Sequence, residues 1–354
     1  MGIESLSRGA TLSYEQNWAQ KEGVDKVLFT QEDAETSSAI KLDLFVGSPY
    51  AISYRAIGGE SHVRQYDTGT SYLYYVPTAS EKTRVGEELR DAMGLGLEAT
   101  DEQDKHTRKI MDDIVKRHVA AHRITKWKQA LEVIFDSTFY ARGPNGQSIG
   151  LDIDFGRDAG NSLNPHTVVS KKIATALKEM QDKIISQGSP TSSLIVIMGD
   201  NYQRQLYADQ TIGKYIYAYE SNYLLMQDLY PKVVGNKDSG LVIHALYRGE
   251  RMVAPVALCS YSPGVPYIQT KGGSAESWVP TNKAAMFSLD SPTFYFRRGI
   301  NAFDMSRQVI RTEGDIVFDA FSENDPVASY IRSQTRHAYI FGNVNHVAVD
   351  TITP

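Results

Sequence analysis

The sequence points to an α+β chain in which a helix-flanked sheet sits inside a second sheet system. Three features carry that expectation. A helical pattern runs from Thr100 to Tyr140 without a proline or glycine. A continuous apolar run, Leu194–Met198, lies between two amphipathic stretches. Alternating runs of apolar and polar residues precede and follow these elements.

The elements are justified in chain order. Residues 1 to about 25 are polar and irregular and read as an arm with no core of its own. From Lys26 to Pro77 the pattern turns to strands. Leu42, Leu44 and Val46 alternate with Asp43 and Phe45, and Tyr50, Ile52 and Tyr54 alternate again. Tyr72–Val76 is an aromatic strand closed by Pro77, and Gly58-Gly59 and Asp67-Thr68-Gly69 supply turns. This is enough strand for a long hairpin but few bulky aliphatics. A hairpin alone is marginal in water, so it needs a neighbour to lie on, which hints at a partner chain.

A charged connector over 79–99, with Glu81-Lys82 and Arg84 near its start, leads to the strongest element. Thr100-Asp101-Glu102-Gln103 fits a capping box, with Thr100 as N-cap and Gln103 reaching back. Ile110, Ile114, Val115, Val119, Ile124, Trp127, Leu131, Ile134 and Phe135 then follow at helical spacing. About 38 residues of helix would run about 57 Å, far beyond the usual three turns. A helix that long, polar over most of its surface, reads as a strut rather than a core helix.

Asn145-Gly146 makes a turn, and Ile149–Phe155 alternates apolar with acidic residues. Val168–Gln187 is an amphipathic helix with Ile173, Leu177, Met180 and Ile184 on one side and Gly188 just past its end. Leu194–Met198 reads as a central strand buried on both faces. A short helix follows over Asn201–Ala208. Leu241–Tyr247 and Met252–Cys259 flank Arg248-Gly249-Glu250-Arg251 as a hairpin. Strand signals recur at Thr293–Phe296, Asp315–Phe318 and Val344–Val349.

Composition narrows the function. Length, 354 residues, permits two or three domains, and 42% hydrophobic with 22% charged residues is ordinary globular composition. With 37 basic against 42 acidic residues the net charge is −5, which argues against a surface built throughout for nucleic acid. The single cysteine, Cys259, excludes an intrachain disulfide and reads as a small core residue. No apolar run spans a membrane, and Met1–Ala10 lacks the core of a signal peptide, so a reducing cytoplasm is the expected setting. The 21 tyrosines suit either interfaces or sheet-rich cores.

The catalytic motifs fail their context tests. Asp154-Phe155-Gly156 spells a kinase magnesium motif but has no Gly-rich loop or strand lysine, and His122-Arg123-Ile124 is no catalytic loop. Gly94-Leu95-Gly96-Leu97-Glu98-Ala99 matches a dinucleotide fingerprint but follows a charged helical run instead of a strand, so a glycine-rich joint is the simpler reading. His118 and His122 are placed i, i+4 for a metal, yet no third ligand is evident, and a solvated helix face is expected. Asp152, Asp154 and Asp158 could hold a divalent ion, but alternate strand positions facing water give the same letters. Lys271-Gly272-Gly273-Ser274 reads as a polar loop, not a phosphate cradle. No catalytic, cofactor-binding or metal-binding residue is nominated, and no cofactor is expected.

Several segments resemble the bacteriophage lambda-type major capsid proteins, which carry the Hong Kong 97 capsid fold. Arg55-Ala56-Ile57-Gly58-Gly59-Glu60-Ser61, Tyr75-Val76-Pro77 and Glu81-Lys82-Thr83-Arg84 are similar to that family's extended-loop region. The helix over 100–140 followed by Gly150-Leu151-Asp152-Ile153-Asp154-Phe155-Gly156-Arg157 resembles its spine helix and acidic strand. Asp325-Pro326, Ile331-Arg332-Ser333-Gln334-Thr335-Arg336 and Asn343 to Asp350 resemble its last strands. One departure stands out: where the family often has prolines, this chain has His337-Ala338-Tyr339.

The resemblance implies an N-terminal arm over 1–25, an extended loop over 26–80 and a peripheral domain over 81–160. It implies an axial domain over 161–290 and a return to the peripheral domain over 291–354. It also implies a structural protein, assembled in the host bacterial cytoplasm and residing in the virion capsid. Expected partners are other copies in pentamers and hexamers, a portal, a scaffolding protein, a decoration protein and packaged double-stranded DNA read without sequence specificity. No membrane partner is expected. The competing readings are another virion or tail protein, an encapsulin-like nanocompartment shell, and a cytosolic enzyme without recognisable motifs.

Overall fold

The computed structural model describes residues 23–35, 39–44, 70–85, 101–143, 146–209, 212, 216–218, 227–228, 230–234, 239–269, 273–292, 294–299, 316–324 and 327–353. In chain order the first elements are α1 (Val24–Leu28), β1 (Gln31–Glu35), β2 (Ala39–Leu44), β3 (Thr70–Tyr75), β4 (Thr78–Val85), α2 (Asp101–Asp136), β5 (Thr138–Phe139) and β6 (Ile153–Asp154). Then come α3 (Ile173–Ser186), β7 (Leu194–Met198), α4 (Asp200–Ala208), β8 (Ile216–Ala218), α5 (Pro231–Val234), β9 (Leu241–Tyr247) and β10 (Val256–Tyr261). The chain closes with β11 (Lys283–Ser288), β12 (Phe294–Gly299), β13 (Val317–Asn324), β14 (Val327–Phe341) and β15 (Ala348–Thr351).

The mixed architecture expected from the sequence is present. A six-stranded sheet has the order β15-β11-β7-β10-β9-β8, with β7 and β10 parallel and the other pairs antiparallel. All five residues of β7 are buried, because both faces of this sheet are covered. Leu194, Val196 and Met198 enter one core with Ile173, Leu177, Met180 and Ile184 of α3 and Tyr202 and Leu206 of α4. Ile195 and Ile197 enter a second core with Trp127, Leu131, Ile134 and Phe135 of α2.

That second core joins the two sheets. The five-stranded sheet is built on the fifteen-residue β14, which pairs with β13, β4 and β12, while β1 adds parallel to β12. Phe294 of β12 and Phe341 of β14 meet at a tilt, centroids 4.9 Å apart, within the core that holds the end of α2. His337-Ala338-Tyr339 continue β14 and pair with Arg298, Arg297 and Phe296. A proline there would remove a ladder N–H from an interior strand.

Several expectations need correction. Lys26–Leu28 belong to a helix, not to a strand region. Val24, Val27 and Leu28 recur at i, i+3, i+4, so one helical turn aims all three at the core. Phe29 then packs 4.8 Å from Tyr339. Nor is α2 only a strut, since Ala130, Leu131, Val133, Ile134 and Phe135 are buried between the sheets. It ends at Asp136 because Ser137 adopts a left-handed φ of 54°.

Shorter differences have local causes. Thr167 and Ser170 close their own turn, so α3 starts at Ile173 and not at Val168. Asp152 accepts from Ala141 N and Ser148 Oγ, which bends 148–152 and leaves only Ile153–Asp154 as strand. Gln181 holds Val253 N at 2.8 Å and Ala254 O at 2.9 Å, which delays β10 to Val256. Asn343 accepts from Asn345 N, which turns Val344–His346 into a 3₁₀ segment ahead of β15. The proposed N-cap Thr100, the glycines at 94 and 96, and Tyr50, Ile52 and Tyr54 lie outside the described residues.

Candidate assembly surfaces

The acidic strand and its Gly-Arg end form a clasp on α2. Asp154 Oδ1 accepts from Gly156 N at 2.9 Å, and Gly156 takes a φ of 63°. Phe155 turns inward against Phe341, edge to face at 5.9 Å. Arg157 thereby reaches the C-terminal end of α2, where Nη1 donates to Phe135 O at 3.0 Å and Nη2 donates to Ile134 O. A cation at this end meets the negative pole of the helix and its unpaired carbonyls. Burial pulls the guanidinium down to about 10, which leaves it charged at neutral pH. Lys283 Nζ adds a contact of 2.8 Å to Asp136 Oδ1. The apparent kinase motif is therefore a helix-end clasp.

The other half of α2 lies on the five-stranded sheet through a polar seam. His118 and His122, expected on a solvated face, are 1% and 4% exposed. The sheet covers that face. His118 Nε2 is 2.6 Å from Thr83 Oγ1 of β4, and His122 Nε2 is 2.9 Å from Ser333 Oγ of β14. His118 also stacks on Phe318 of β13 with centroids 6.4 Å apart. Farther along, His337 Nε2 lies 2.8 Å from Gln129 Oε1. Burial lowers the pKa of both helix histidines. For His122 it falls to about 4, helped by the charge of nearby Lys126. The signal was legible as spacing: Val115, His118, His122, Lys126, Gln129 and Val133 form one three-four stripe, read through polar letters.

The remaining weighed residues do not converge. Asp152 and Asp154 serve local turns, and Asp158 Oδ2 accepts from Asn345 Nδ2 at 3.0 Å. Among the described residues no group of three or more His, Cys, Asp or Glu is placed to hold a metal. Cys259 is fully buried in the core, as expected, and burial pushes its thiol pKa up. Tyr202, Tyr230 and Tyr339 are core residues with hydroxyls donating to Asp350, Leu194 O and Asp25. No helix among the described residues is long and apolar enough to cross a membrane. The Gly94–Ala99 segment and Lys271-Gly272 lie outside the described residues.

What remains is surface. Among the described residues, β2 and β3 pair only with each other, in register from Ala39↔Tyr75 to Leu44↔Thr70. Elsewhere, Gln269 Nε2 donates to Gly146 O at 3.2 Å and ties two loops together. Those loops carry exposed apolar residues: Ile149 and Leu151 at 48% and 40%, Val265 and Ile268 at 45% or less. Large exposed aliphatics gathered on tied loops are a surface suited to burial by a partner.

No protein-family model matches the chain, and no curated protein matches it. Solved structures do. The structure described as a capsid protein of a prophage of Escherichia coli CFT073 superposes with a TM-score of 0.63 at 13% identity, over 97% of this chain and 98% of that one. A phage-related protein of Bordetella bronchiseptica RB50 gives 0.48 at 11% identity, over 98% and 96%. The mature capsid of bacteriophage PhiM1 gives 0.46 at 8% identity, over 94% and 88%. The fold assignment rests on the first: this chain has a phage capsid-protein fold.

Proposed function

We propose that the chain is a structural shell subunit, the major capsid protein of a tailed bacteriophage, and not an enzyme. The observation that carries this reading is the end-to-end likeness to the prophage capsid protein, with a TM-score of 0.63 over nearly the whole of both chains. In this reading the parts are those that the sequence resemblance implies. Residues 1–25 are the N-terminal arm and 26–80 the extended loop. Residues 81–160 are the peripheral domain with α2 as its spine helix. Residues 161–290 are the axial domain, and 291–354 return to the peripheral domain.

In this reading β2 and β3 are the stem of a loop that lies over the adjacent subunit, which supplies the neighbour a bare hairpin needs. Copies gather as pentamers and hexamers and close into an icosahedral shell around double-stranded DNA. Heterologous contacts that close on rotation build such rings. Modest interfaces repeated around each subunit gain strength from avidity. A portal, a scaffolding protein and a decoration protein complete the partners, and the assembled chain resides in the virion after assembly in the host cytoplasm.

Deleting the loop tip between β3 and β2 tests this. The reading expects soluble chain that sediments as small species while the intact chain sediments as large assemblies. Large assemblies of normal size from the deletion would overturn the role given to the loop.

A further inference from the structure

The seam between α2 and the five-stranded sheet differs sharply along its length. From Ala130 to Phe135 the helix is held by apolar core, by Arg157 at its end and by Lys283 on Asp136. From Val115 to Lys126 the stretch buries Val115, Val119 and Lys126, the last over the Phe296 ring, and its side-chain hydrogen bonds to β4 and β14 are made by two imidazoles. Each has a neutral hydroxyl as its hydrogen-bond partner there, Thr83 or Ser333. The other ring nitrogen of His118, Nδ1, is buried without a hydrogen-bond partner among the described residues. A hydroxyl accommodates a neutral imidazole and supplies no charge to balance an imidazolium.

We propose that this seam is a proton-sensitive device: acidification releases the Val115–Lys126 stretch of α2 from β4 and β14 while the Ala130–Phe135 stretch stays seated. The charged and titratable groups facing the two histidines bear this out. On α2 they are Lys126 and the two imidazoles themselves, all of one sign when protonated. On β14 the next group on the same face is His337. On β13 the described facing side chain is Phe318. On β4 the facing acid is Glu81, opposite Ser333, which burial holds above the usual carboxylate range.

The direction follows from linkage. The released helix exposes histidines of ordinary pKa, near 6.5, whereas His122 seated in the seam titrates at about 4. Between those values the released state takes up more protons, so falling pH drains stability from the seam. His122 shifts the seated-to-released ratio by about tenfold per pH unit in that window, and His118, also lowered by burial, acts in the same direction. Glu81 works the other way, because its raised pKa favours the seated state in acid. It is only partly shielded from solvent, so its influence is screened. Trp127 and the apolar cluster beyond it carry none of this dependence. The device belongs to the single chain, so it stands or falls independently of shell formation.

Hydrogen–deuterium exchange of the full chain between about pH 7 and about pH 5, corrected for intrinsic rates, tests it. Protection over 115–126 should fall at least about tenfold per pH unit below about pH 6, with β7, β10 and 130–135 unchanged. The double variant His118→Gln, His122→Gln keeps polar contacts without titration and should flatten that profile. An unchanged slope in the variant overturns the proposal, as does an equal loss of protection in β7 and β10. Should the variant fail to fold, imidazole titration by NMR in the unaltered chain decides. A value for His122 more than one unit below 6.5, with His118 also lowered, supports the device, and values near 6.5 overturn it.

Discussion

Arg157 donates to the carbonyl of Phe135 across 3.0 Å, closing the end of α2 from a residue that arrives only after the chain has turned through Gly156. Removing the guanidinium leaves helix-end carbonyls buried and unpaired. Arg157→Ala should therefore cost about 2–3 kcal/mol, read as a lower denaturation midpoint in urea. Arg157→Lys should recover less than half of this, because an ammonium cannot span both carbonyls as a fork does.

Two buried tyrosines give a matched comparison. Tyr202 donates to the carboxylate of Asp350 at 2.7 Å, where His166 lies 3.4 Å from the other oxygen. Tyr230 donates to a neutral carbonyl, Leu194 O, at 2.9 Å. Hydrogen bonds to charged groups are worth about 1.5–3 kcal/mol and neutral ones about 0.5–1.5. Tyr202→Phe should thus destabilise the chain more than Tyr230→Phe in parallel urea titrations, and the reverse order would contradict the packing described.

Glycines at two turns should respond differently to a methyl group. At Gly199 a Cβ would stand 2.1 Å from Pro280 O and 2.6 Å from Thr281 O, both backbone, at the turn from β7 into α4. At Gly156 nothing lies within 4 Å, and only the left-handed φ resists. Gly156→Ala should cost about 1–2 kcal/mol. Gly199→Ala should cost more than that, about 3 kcal/mol or beyond, because backbone must move. Thermal melting of the two variants checks the order.

Cys259 should be silent in the folded chain. It is fully buried in β10, and burial raises its thiol pKa above the ordinary range, so thiolate is scarce and shielded. A thiol reagent such as a chromogenic disulfide should react only at the rate of unfolding. Rapid labelling at neutral pH would contradict the placement of β10 at the sheet centre.

The elements with strong periodicity were legible. The Gly- and Pro-free run gave α2 to within a few residues, and Leu194–Met198 gave a strand buried on both faces. Ile173, Leu177, Met180 and Ile184 gave the buried side of α3. What escaped depended on distant partners. His118 and His122 look solvated until Thr83 and Ser333, 35 and 211 residues away, are folded over them. Val24–Leu28 is too short for its period to show, and Phe29 just after it packs on the distant rings of Phe294, Tyr339 and Phe341. The Gly156-Arg157 pair was visible as a motif, but its task needed the end of α2 placed beside it. Loop ties such as Gln269 to Gly146, which gather Ile149, Leu151, Val265 and Ile268, leave no local trace in the letters.

The first measurement to make is negative-stain electron microscopy, with sedimentation, of the chain expressed alone in bacteria. The capsid reading predicts closed shells, or free rings of five and six copies. A compact monomer or dimer, with no higher assembly even after a candidate scaffolding partner is added, would contradict it and direct attention to a ligand screen.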